Sequence, residues 1–162
     1  MKWWSIALSL IVSLGAGTRA HAVGTIFEQA SLQGLGAIQV VIENFAPDVV
    51  EDGLDRERIK AAVEQQLQQA HIPVQAQAEN AFYIHLGTVK NEANLYSYSL
   101  SWQLLQLVLL FHNPGLVTWG TTWSLAQVGS IAPAKLSDLD SLIARGVNAF
   151  IEDYQTANPT SP

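Results

Sequence analysis

The 162-residue sequence contains no cysteine, a single methionine, and charge on only 14% of its positions. Lacking thiols, the chain has no cysteine nucleophile, no disulfide, no zinc–thiolate knot and no iron–sulfur cluster. The same absence excludes a lipoprotein, which is anchored through a modified cysteine. Basic residues are also few, 8 against 14 acidic, for a net charge of −6. That balance argues against nucleic acid and anionic lipid as partners, because both reward a basic patch. What the chain has in quantity is apolar side chains, 49% of all residues. A disordered polymer has fewer, and one domain of ordinary size fits the length.

The N-terminus carries the strongest local signal. Met1 to Ala22 reads as a secretory signal peptide, with Lys2 as the positive start and a twelve-residue apolar core from Trp3 to Leu14. The triplet Ala20-His21-Ala22 follows and puts small residues where a signal peptidase needs them. An uncleaved anchor is the competing reading, but the apolar core is short of the roughly 20 residues a spanning helix requires. Cleavage near Ala22 takes Lys2 and Arg19 with it, leaving six basic residues against fourteen acidic and a net of −8. Asn158-Pro159-Thr160 is blocked as a glycosylation site by its proline. The expected location is a bacterial periplasm or the medium outside, with no membrane span after cleavage. Residues 23–155 form one domain in this reading, and 156–162 a disordered tail.

Hydrophobic periodicity gives the elements. The β-branched run from Leu35 to Glu43 predicts a first strand. Asp55 is a good N-cap for a helix whose apolar face is Ile59, Val63, Leu67 and Ala70, and Pro73 forbids its extension. A short extended piece over Ile72–Gln77 and a strand over Phe82–Val89 come next. From Leu95 the alternation of Tyr96, Tyr98, Leu100, Trp102 and Leu104 with serine and glutamine is period two. After Leu104 the parity slips, and Leu105, Leu107, Leu109 and Phe111 carry the bulk. A β-bulge near Leu104-Leu105 would keep one face buried through the slip; alternatively, the second half is buried on both faces. Asn113-Pro114-Gly115 predicts a turn. Val117, Trp119, Thr121, Trp123 and Leu125 are then expected to share one face of a last strand. A closing helix begins near Ser137, its stripe running from Leu139 through Phe150 to Tyr154.

The expected fold class is therefore α+β: a two-layer sandwich in which a largely antiparallel, curved sheet of 4–5 strands carries two helices on one face. The first strand and the piece after the first helix are expected to pair in parallel through a right-handed crossover.

Few residues invite chemistry. His71, His85 and His112 lack metal-ligand spacing, and satisfied structural histidines are the simpler account. An EF-hand counted from Asp48 fails at Val50 and Ile59, where carboxylates should stand. Gly34-Leu35-Gly36 precedes a strand instead of following one, and Gly115 to Gly120 lacks the lysine of a phosphate loop. No Gly-x-Ser-x-Gly elbow exists, and Ser97, Ser99 and Ser101 follow from strand alternation alone. No catalytic residue, metal site or cofactor is assigned, and the chain is expected not to be an enzyme. Tyr98, Trp102, Trp119 and Trp123 are the candidate ligand-binding residues: on neighbouring strands they would line a cleft for a sugar or lipid, or serve a weak hydrolase with His85 or His112 nearby. The simpler account makes these rings the core face beneath the helices.

This order of elements behind an export signal resembles small periplasmic accessory domains of β-α-β-β-β-α plan, such as the lipopolysaccharide-assembly protein LptE and the auxiliary lipoproteins of ABC-type transporters. The segments that carry the resemblance are Gly53-Leu54, Ala70-His71-Ile72-Pro73-Val74, Thr122-Trp123 and Phe150-x-x-x-Tyr154-x-x-Ala157-Asn158-Pro159. Those proteins are tethered through a lipidated cysteine that this chain lacks. The resemblance assigns no functional residue. The export signal, the acidic surface and the lack of a catalytic constellation lead to the expectation of a non-enzymatic exported domain that binds another envelope component or assists its assembly.

Overall fold

The computed structural model describes residues 26–159. The export segment read at Met1–Ala22 lies outside the described residues, as do positions 160–162 of the tail.

The elements run α1 (Ile26–Ala30), β1 (Ile38–Ile42), α2 (Pro47–Glu51), α3 (Arg56–Gln69), β2 (Asn80–Lys90), β3 (Tyr96–Leu110), β4 (Asn113–Ile131) and α4 (Asp138–Ala157), with a short 3-10 turn at Pro133–Lys135 before the last helix. The four strands form one sheet in spatial order β1-β2-β3-β4. β1 pairs in parallel with β2, and β2, β3 and β4 form an antiparallel meander. The β-α-β-β-β-α plan and the α+β class are thus present, in a mixed sheet of four strands. The long parallel partner of β1 is β2; the piece after α3 also pairs with β1 in parallel, as expected, but only briefly. That piece is reduced to one bridge, Val74 to Ile38, because Pro73 contributes no N–H to a longer ladder.

Local chemistry sets the ends of α3. The Asp55 carboxylate accepts from the backbone N–H groups of Glu57 and Arg58. At the other end the Ile72 N–H bonds the Leu67 carbonyl and the His71 N–H that of Gln68, the paired bonds of a Schellman cap. His71 therefore sits at φ +61°, where glycine is usual. α4 runs to Ala157, two residues into the stretch read as tail. Asn158 then bonds the Leu32 and Tyr154 carbonyls through its Nδ2 and accepts from the Gly34 N–H.

One face of the sheet meets the helices. Ile38, Val40, Phe82, Ile84, Leu100, Trp102, Leu104 and Trp123 are buried there against Ile59, Val63 and Leu67 of α3 and Leu139, Ile143, Val147 and Phe150 of α4. Trp102 is only 1% exposed and Trp123 2%. α4 comes so close over Trp102 that a Cβ on Gly146 would stand 2.1 Å from the indole. Phe82, Trp123 and Phe150 stack at ring-centroid distances of 4.6–6.3 Å. The serines of β3 face the other, open side.

The register of β3 and β4 shifts between Leu104 and Leu105, where the sequence predicts a bulge. Leu104 pairs with Trp123 and Leu105 with Thr121, so the extra residue is Thr122, on β4. Alternation on β3 continues undisturbed, and this decides where the apolar set goes. Leu105, Leu107 and Leu109 pass to the open face instead of staying buried. On β4 the bulge splits the expected single face: Trp123 and Leu125 point to the helices, while Val117, Trp119 and Thr121 join the leucines on the far side. Neither expectation for the second half of β3 holds, because Leu107 and Leu109 are exposed.

Candidate functional site: a protruding apolar ribbon

β2 stops pairing at Ala81, opposite Leu105. Beyond it, among the described residues, β3 and β4 pair only with each other, and residues 106–120 leave the sheet as a two-stranded ribbon. From Leu105 to the closing pair Leu110–Asn113 it extends about 17 Å at the usual strand rise. Leu107 pairs with Trp119 and Leu109 with Val117 on one face; Val108 and Leu110 lie on the other, Val108 packed over Gly120. Phe111 and His112 make the turn, edge to face at 5.5 Å. The turn falls just before the Asn113-Pro114-Gly115 signal, since Asn113 closes the hairpin.

Seven large apolar residues are exposed on this ribbon: Leu107, Leu109, Leu110, Phe111, Leu116, Val117 and Trp119, with Phe111 at 93% and Trp119 at 53%. Single exposed leucines mean little, but a contiguous patch marks a working surface. No aspartate, glutamate, lysine or arginine occurs from Ala93 to Ala134, a run of 42 residues. Natural sheets protect exposed edges with such charges. This ribbon has none. That run is the sequence signal that could have found the site.

The four ring residues named from sequence are not brought together. Trp102 and Trp123 are sealed under α4, and the Trp123 indole donates to Asp153 at 2.8 Å. Trp119 stands on the ribbon. Tyr98 borders an open groove of about 570 Å³ between the end of β4 and α4, beside Ser130, Lys135, Ser141 and Arg145.

On the open face, His85 Nδ1 pairs with a Glu43 carboxylate oxygen. A Cβ on Gly87 would lie 3.0 Å from Ser99 Oγ and 3.3 Å from His85 Nε2, so a carboxylate just past β1, an imidazole on β2 and a hydroxyl on β3 succeed one another. The His85 and Glu43 side chains are nearly half exposed, and among the described residues no hydrogen bond joins Ser99 to the ring. The arrangement lies on a flat, wet surface that excludes no solvent from a reacting group. His71 caps α3 and His112 sits in the ribbon turn, and among the described residues neither contacts this pair. Among the described residues no three metal-ligating side chains cluster.

A third polar group lies at the opposite end of β3. The Tyr96 hydroxyl donates to Asp52 at 2.7 Å and Lys90 Nζ donates to the same oxygen at 3.0 Å. Those two donors hold the Asp52 carboxyl below its ordinary range. Burial, then the neighbouring Asp52, pushes the Tyr96 phenol up, and Asp52 raises Lys90. This cluster ties α2 to the sheet.

No family model matches the chain, and no curated protein matches it. Among solved structures it is similar to a PelC variant dodecamer from Paraburkholderia phytofirmans, at 12% identity and a TM-score of 0.39 over 70% of this chain and 84% of that one. It is also similar to a minor lipoprotein from Acinetobacter baumannii, at 10% identity and a TM-score of 0.25 over 75% and 91% of the two chains. Likeness at this level carries no function across. Among the described residues no helix is long and apolar enough to cross a membrane.

Proposed function

We propose that the chain is an exported, non-enzymatic accessory of the cell envelope, acting by docking through the β3–β4 ribbon. The observation that carries this reading is the concentration of exposed apolar side chains on residues 106–120 in a protein whose core is otherwise closed. The signal-like segment Met1–Ala22 supports export, and the open setting of His85 and Glu43 supports a role without catalysis. Kinship with accessory domains of the LptE type is part of the proposal and rests on the shared β-α-β-β-β-α plan.

Replacing the gene in its own host tests the reading. A ribbon variant, Leu109→Asp with Trp119→Asp, is expected to reproduce the phenotype of the deletion at normal protein level, while His85→Ala behaves as wild type. A wild-type phenotype for the ribbon variant, with loss of function in His85→Ala, would overturn it.

A further inference from the structure

Resting on the ribbon as the working surface, we infer that its partner is the surface of an uncharged phospholipid bilayer, entered by the turn at Phe111. Three features of the ribbon select this occupant. Apolar residues stand on both faces and at the apex, not on one side. A second copy or a partner protein laid against Leu107, Leu109, Val117 and Trp119 leaves Leu110 and Phe111 uncovered, whereas a lipid medium surrounds them all. The absence of charge over 42 residues removes the dearest obstacle to insertion. Trp119 pairs with Leu107, about 13 Å back from Phe111 along the strand. With the turn among the acyl chains, this indole lies at headgroup level, where tryptophan is favoured.

The same geometry limits the depth. A two-stranded ribbon leaves peptide groups unpaired along both outer edges, and hydrocarbon does not tolerate them. Insertion is therefore shallow, carrying the turn about 5–10 Å into the headgroup–acyl boundary and leaving the base of the ribbon outside the hydrocarbon, as for other interfacial elements. Five paired residues are also too few to span: a membrane strand needs about 9–11. The acidic body stays outside, and with no lysine or arginine on the ribbon, anionic lipid offers no added attraction.

The cysteine-free sequence makes the test clean, because one introduced thiol carries one label. His112→Cys, in the turn, bears an environment-sensitive fluorophore on the full chain; Val128→Cys, exposed on β4 away from the ribbon, is the control. On titration with phosphatidylcholine vesicles, the label at 112 is expected to brighten and shift to the blue while the label at 128 does not change. Phosphatidylserine in the vesicles is expected not to tighten binding. Leu109→Asp is expected to weaken the response by roughly ten- to a hundredfold, the worth of burying one leucine. An unchanged signal at 112 overturns the inference. So does a signal that rises with protein concentration in the absence of lipid, which identifies a second copy as occupant and leaves the ribbon as the docking surface. A label at 112 indifferent to vesicles, to concentration and to membranes from the host envelope overturns both this inference and the docking role.

Discussion

Gly146 shows how little slack the core leaves at a single residue. Alanine is the better helix former by about 1 kcal/mol, yet a methyl here meets the Trp102 ring at 2.1 Å. Gly146→Ala is therefore expected to destabilise by about 1–3 kcal/mol, the usual effect of overpacking, measured by urea denaturation. A gain in stability would show that α4 is free to rise off the sheet. The Asp52 cluster gives a pH signature at the same scale. Its carboxyl is held low in the folded state, first by the Tyr96 hydroxyl and then by Lys90. Its contribution is complete above the ordinary carboxylate value near 4 and is lost as pH falls through the depressed one. The stability difference between wild type and Asp52→Asn should accordingly be constant between about pH 5 and 9 and shrink toward acid. A difference that instead grows on acidification contradicts the assignment.

Individual elements were legible in the sequence to very different degrees. α3 and α4 announce themselves through their stripes, and Asp55 caps where the sequence says it does. His71 is less obvious, because nothing local marks a left-handed cap on a histidine. Relieving that φ of +61° by His71→Gly is expected to raise stability by about 0.5–1 kcal/mol. The hairpin was legible as strands but not as a ribbon. Burial of Leu107 and Leu109 depends on whether β2 reaches them, and where β2 ends is a fact about a strand some twenty residues away. The parity slip on β3 marks where along the pair the bulge falls, but it cannot say which strand holds the extra residue. Thr122 on β4 decides the matter, and with it the separation of Trp119 from Trp123. Because the ribbon packs on no other element among the described residues, Leu109→Asp with Trp119→Asp is expected to change unfolding stability by less than about 1 kcal/mol. Leu104→Asp, five residues back along β3 and on the face the helices cover, should prevent folding by burying an unpaired charge.

At the scale of the whole molecule the chain divides its surface by charge. Every aspartate, glutamate, lysine and arginine between residues 26 and 159 lies before Ala93 or after Ala134, and the ribbon projects from the uncharged part between them. The core closes without it, so the exposed apolar surface is not left over from poor packing. Hydrogen exchange of the full chain, with and without membranes from its own envelope, tests this division most directly. Slowed exchange confined to residues 106–120 is the predicted result. Unchanged exchange in the ribbon, with slowing around His85 and Ser99 on the open face, would contradict the account.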